Sequence, residues 1–146
     1  DVGGFCNGIL AGLVAITAGC AAVQPYEALF IGFFGGLVYQ GASMLMKKLK
    51  VDDVVDAFAV HGATGFWGLV ALGFFGDGGA FHGKGGGQLG TQLFAGFLIT
   101  LWVGTLSALI FVPLRVLGML RLDDEFQAKG ADLMEHSPAK AYAETA

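Results

Sequence analysis

Ala57-Phe-Ala-Val-His61-Gly-Ala-Thr-Gly-Phe-Trp67-Gly-Leu-Val-Ala-Leu-Gly-Phe-Phe-Gly76 contains no Asp, Glu, Lys or Arg. An apolar helix crosses a hydrocarbon core of about 30 Å in about 20 residues, and this run is that long. A helix satisfies its own backbone N–H and C=O groups, which lipid cannot do, so the run reads as a transmembrane helix. Three further stretches lack charge: Val2 to Tyr26, Ala28 to Met46 and Gly85 to Leu114. Trimmed of their Gly-rich ends, the four predict spans at 5–23, 28–46, 54–75 and 92–114. The expected fold class is an all-α membrane protein with four transmembrane helices. A very apolar soluble bundle is the alternative, but stretches this free of charge leave almost no polar helix face.

Composition points the same way. The 146 residues have a mean hydropathy of +0.67, and 14% are charged, against about a quarter in an ordinary soluble chain. So apolar a sequence collapses or inserts, which excludes disorder. A net charge of −4 without a basic cluster excludes nucleic acid as a partner. The chain opens at Asp1 without a Met and without the charged n-region of a signal peptide, and it reads as part of something longer. Cys6 and Cys20 would stand about 21 Å apart on one helix, too far for a disulfide, and read as buried free thiols.

The basic residues orient the spans. Lys47, Lys48 and Lys50 lie between the second and third, and Arg115, Arg121, Lys129 and Lys140 follow the fourth. Only Lys84 falls in the loop between the third and fourth. The side with the excess is expected to be cytoplasmic, which puts both ends of this chain inside. Residues 1–120 are then the transmembrane region of an integral protein of the cell membrane, and 121–146 a cytoplasmic tail of short helical pieces. Gln24-Pro25 breaks the chain after the first span, and residues 76–87 are too rich in Gly for a regular element. Small residues four apart predict close helix packing: Gly8 and Gly12, Gly32 and Gly36, and Gly96 with Thr100, Gly104 and Ala108; Ala57, His61, Gly65 and Gly68 share a face in the same way.

His61 is the informative residue. Counted from Val54 it lies about 10 Å into the third span, where an ionisable group is costly unless it faces protein or a water-filled path. A structural hydrogen bond to a neighbouring helix and a transport or relay role both fit. Asp56 and Asp53 lie about 140° and 80° from it around a helix, so neither pairs with it by stacking; both are expected to cap the start of the span. Thr17 can bond its own backbone one turn back or line a pore. No second His or Cys shares the face of His61, so no metal, haem or other cofactor is expected. No motif of a hydrolase, metalloprotease or phosphate-binding loop is present, so the chain does not read as an enzyme.

Four stretches are specific enough to resemble a known family. Asn7-Gly-Ile-Leu-Ala-Gly-Leu-Val-Ala-Ile-Thr-Ala-Gly-Cys20 is similar to the ammonium transporters (Amt/Mep/Rh). So are Val51-Asp-Asp-Val-Val-Asp-Ala-Phe-Ala-Val-His-Gly62 with Gly65, Trp67 and Gly68, and the loop Gly83 to Gln88 with Leu89-Gly-Thr-Gln92. Gly130-Ala-Asp132, His136 and Ala141-Tyr142 resemble the tail of the Amt branch. The resemblance implies an eleven-helix inverted-repeat fold, of which this chain is the C-terminal part, helices eight to eleven, in a homotrimer with one pore per subunit. It implies passage of ammonium or ammonia across the lipid bilayer through a hydrophobic pore lined by two histidines, with His61 as the second of the pair. Thr17 then matches a pore-side threonine, and Asp53 and Asp56 match aspartates that support conduction from the start of the same helix. The resemblance implies that the tail contacts neighbouring subunits and offers its motif to a cytoplasmic regulator; Ser137-Pro138 after His136 departs from the family pattern, and Tyr142 stands one residue further from it than is usual. An ammonium sensor of the same fold and a structural membrane subunit with a buried His are the competing functions.

Overall fold

A computed structural model describes residues 2–130. The motif residues Asp132, His136, Ala141 and Tyr142, with Lys140, lie outside them. The described chain is helical: α1 (Val2–Thr17), α2 (Pro25–Lys48), a π-helical turn (Phe58–Ala63) continued by α3 (Thr64–Phe75), a 3₁₀ turn (Ala80–His82), α4 (Gly87–Val116) and α5 (Asp124–Lys129). α2, the run from the π turn through α3, and α4 are long and apolar enough to cross a membrane. α1 is apolar but has 16 residues. The reading to residue 23 overran it, because Ala18 to Val23 form successive turns, with Gly19 N–H on Ile16 O and Ala22 N–H on Gly19 O. The Gly-rich loop also differs from expectation, since Ala80–His82 wind into one turn.

Two compact units divide the chain, Asp1–Thr100 and Leu101–Ala146. In the first, α1, α2 and α3 pack around small residues. The inner edge of α2 is a stripe at intervals of four: Glu27, Ile31, Gly35, Tyr39 and Ser43, all buried. It meets Ala11 and Ala15 of α1, and Thr64 and Ala71 of α3, while Gly68 of α3 lies against α1. The tightest approaches fall at Gly35 and Gly68. A Cβ at Gly35 would lie 2.5 Å from that of Ala15, and one at Gly68 2.7 Å from Ala15 O. Gly12 and Gly32 face each other at van der Waals distance, whereas Gly8, Gly36 and Gly104 have open space beside them. Close packing is therefore present, but centred one position away from the Gly32/Gly36 pair, on the face that carries Ile31 and Tyr39. The outward faces are apolar too, with Phe30, Phe33 and Leu37 exposed, the pattern of helices whose surroundings are not water. Cys6 and Cys20 are free but exposed on these outward positions, not buried.

Gln24 N–H donates to Glu27 Oε2 at 2.7 Å, and Pro25 opens α2, where its missing N–H costs nothing. Glu27 is buried, and its Oε1 lies 2.9 Å from His82 Nε2, which ties the Gly-rich loop to the start of α2. In the second unit α4 ends in a Schellman cap. Gly118 takes φ 70, its N–H bonds Arg115 O, and Met119 N–H bonds Leu114 O. Asp123 then caps α5 by accepting from Phe126 N–H at 2.7 Å.

Candidate functional site

The approach to the π turn and α3, the third of the four spans expected from the sequence and the second of the three helices of spanning length, is built by carboxylates. Asp53 accepts from Ala57 N–H at 2.7 Å and Phe58 N–H at 2.9 Å. These are helix-initial donors without intrahelical partners, so this is the cap that its position predicted. Asp56 does something else. Its backbone takes φ 57, a left-handed conformation that Asp tolerates better than most residues. That geometry turns its carboxylate to α2, where it accepts from Tyr39 Oη at 3.1 Å and Ser43 Oγ at 2.8 Å. The expected cap is a clamp between elements. Asn7 Nδ2 adds a bond to Val55 O at 3.3 Å, from α1. The segment ahead of the span is thus held by both neighbouring helices.

The π turn follows, and His61 lies in it. Because helical structure begins at Ala57 and not at Val54, His61 stands about 6 Å along the axis from the first turn, shallower than the expected 10 Å. Ala59 and Val60 are buried against Ala11 and Tyr39. His61 and Gly62 occupy the other side and are exposed. The Phe58 ring lies across Gly62, where a Cβ would come within 2.8 Å of it. Among the described residues the His61 side chain has no hydrogen-bond partner, and neither Asp53 nor Asp56 reaches it, as their angular spacing implied.

The span from Phe58 to Phe75 has three side chains with polar hydrogens: His61, Thr64 and Trp67. Thr64 Oγ1 donates to Ala59 O at 2.9 Å, and Trp67 Nε1 donates to Ile31 O at 3.0 Å. Only the imidazole is left to be satisfied from outside the described residues. Thr17 is the last residue of α1, exposed, and donates to Leu13 O at 2.8 Å, so the local backbone bond is present. No hydrogen bond brings Thr17 and His61 together among the described residues. No cluster of three or more His, Cys, Asp or Glu able to hold a metal occurs among them either.

Sequence reasoning missed Tyr39, Ser43, Asn7, Glu27 and Thr64. Tyr39 and Ser43 do carry a signal, since both fall on the four-residue stripe that starts at Glu27. Polar hydrogens on a buried helix edge demand an acceptor.

A sequence model of the Ammonium Transporter Family matches residues 1–142. The chain is 36% identical to ammonium transporter 1 member 1 of Arabidopsis thaliana over 151 residues, which covers 93% of the chain and 30% of that protein. It is 40% identical to ammonium transporter Amt2 of Archaeoglobus fulgidus over 156 residues, covering 97% and 33% respectively. Ammonium transporter 3 of Dictyostelium discoideum shares 38% over 143 residues, covering 89% and 33%. The chain spans about a third of the length of these relatives.

Proposed function

The chain belongs to the ammonium transporter family, and from that premise we propose that it forms one wall of a pore that passes ammonia and its proton across the membrane, with His61 facing the path. The membrane setting follows from the family and from three apolar helices of spanning length. The observation that carries the pore reading is His61 itself. In a span whose other polar side chains are satisfied by protein carbonyls, this imidazole is exposed and has no side-chain partner among the described residues. An apolar span tolerates such a group where the side is covered by further protein with a polar partner or by a water-filled path.

The chemistry fits that position. A full charge is opposed by hydrocarbon walls, so ammonium is held back while neutral ammonia passes. An imidazole accepts a proton at one ring nitrogen and releases one from the other, so a pair of them relays the proton beside the ammonia. Potassium has no proton to give up and is rejected. The partner histidine and the remaining helices of the eleven-helix trimer would come from protein outside this chain. In that assembly Thr17 lines the path, Asp53 and Asp56 hold the turn beneath His61, and the Lys-rich ends of the spans face the cytoplasm.

Methylammonium uptake by the full-length protein, compared between wild type and His61→Ala at equal membrane abundance, tests this. Loss of uptake or of selectivity over potassium is expected. Selective conduction at the wild-type rate would refute the role of His61. Ammonium binding without any uptake by the wild type would favour the receptor reading over the transporter.

A further inference from the structure

Thr17, Thr91 and Thr100 each donate their hydroxyl to the carbonyl four residues back, at 2.8 to 3.0 Å. This is the usual habit of threonine in a helix. Thr64 departs from it. Its Oγ1 donates five residues back, to Ala59 O, at 2.9 Å. Its backbone N–H meanwhile bonds His61 O. The side chain is fully buried, and its Cγ2 sits 3.4 Å from where a Cβ at Gly35 would lie, so α2 fixes its rotamer. Five-residue spacing is the register of the π turn it follows. The hydroxyl thus closes the widened turn that contains His61.

We propose that Thr64 is a positioning residue that holds this turn in its π register and thereby sets the direction of the His61 ring. The function of that direction rests on the reading of His61 as a pore residue. The mechanism follows from what is fixed on either side. Ahead of the turn, Asp53 and Asp56 tie the backbone to its cap and to α2. Beyond it, Trp67 is bonded to Ile31 O, and Gly68 lies against the Ala15 backbone. Neither end can rotate without breaking these contacts. Relaxation of the turn to α geometry drops one residue of register, equivalent to about 100° around the helix. The turn itself must absorb that change, and His61 lies inside it.

Thr64→Val removes the donor at nearly constant shape, and Thr64→Ser keeps it. In the full-length protein in lipid, two quantities decide. One is the maximal rate of methylammonium uptake at matched abundance; the other is the pair of ¹⁵N imidazole shifts of His61, assigned by their loss in His61→Ala. T64V should lower the maximal rate at least about tenfold, since a misplacement of about 1 Å at a reacting group can cost about a hundredfold, and should move the His61 shifts. T64S should stay close to wild type in both. Unmoved His61 shifts in T64V would overturn the proposal, as would a T64S defect as large as that of T64V. Should T64V fail to reach the membrane, Thr64→Ala takes its place with the same expected and overturning results. If His61→Ala leaves uptake intact, the pore reading fails, while the shift comparison between T64V and wild type still decides the positioning role.

Discussion

Asp56→Ala probes the clamp that sets where the third span begins. The carboxylate accepts two hydrogen bonds, from Tyr39 Oη at 3.1 Å and Ser43 Oγ at 2.8 Å. Both donors are buried, 4% and 2% exposed, so neither hydroxyl can turn to water once the acceptor is gone. Bonds to a charged group in soluble proteins contribute about 1.5–3 kcal/mol each. Side-chain bonds between membrane helices average about 0.6 kcal/mol. The clamp sits at the end of a span, between these settings, so its two bonds together contribute about 1–3 kcal/mol. Ala at φ 57 also lacks the short polar side chain that eases a left-handed residue, adding about 1 kcal/mol. D56A should therefore cost about 2–4 kcal/mol by these two terms. Asp56→Gly loses the bonds but not the backbone ease, and should fall between D56A and wild type. The assay is the unfolding midpoint of the full-length protein in mixed micelles, read with Tyr39→Phe and Ser43→Ala in both backgrounds. In wild type each of these removes a bond and destabilises. In D56A each hydroxyl has already lost its carboxylate acceptor, so each substitution should cost less than it does in wild type. A Tyr39→Phe cost that is the same in both backgrounds would refute the clamp.

Two further outcomes are expected. Gly35→Ala places a Cβ 2.5 Å from that of Ala15, while Gly36→Ala enters open space; unfolding midpoints should show about 1–3 kcal/mol of destabilisation for the first, from overpacking, and little for the second. Asp53→Ala strips the cap from Ala57 and Phe58 N–H and should cost about 0.5–2 kcal/mol, visible as faster amide exchange confined to the first turn of the third span. Asp53→Asn, a good cap itself, should recover most of that protection.

The uncharged runs made the helical class and the positions of α2 to α4 readable, because lipid-compatible length is a local property of sequence. Local spacing was also enough for the Asp53 cap and the Thr17 back-bond. What spacing could not show was long-range pairing. Tyr39 and Asp56 are 17 residues apart, and Glu27 and His82 are 55 apart. Their meeting depends on how helices stack, not on any motif around either residue. The same is true of the helix ends. The third span starts late because Asp56 reaches sideways to α2 from a left-handed backbone, and nothing in Val54-Val-Asp56 announces that. The π turn has no composition signature either; it emerges from two fixed ends and a buried Thr64 between them.

These contacts share an asymmetry that bears on function. Everything that fixes the turn around His61 comes from one side: Asn7, Tyr39 and Ser43 bond the segment that leads into it, Ala59 and Val60 are buried there, and Trp67 is tied to Ile31. The opposite side carries the imidazole, next to Gly62 and the Phe58 ring that lies across it. A polar group left unsatisfied in hydrocarbon costs about 2–7 kcal/mol, a large fraction of the 5–15 kcal/mol that holds a typical protein folded. A purely structural His would recover that cost by bonding a neighbouring carbonyl, as Trp67 does six residues on. His61 has no such side-chain partner among the described residues, so its ring nitrogens are left to groups outside them. The proton relay proposed above needs both ring nitrogens available in turn, one to accept a proton and the other to release one, and a carbonyl bonded to either would tie up that half of the exchange.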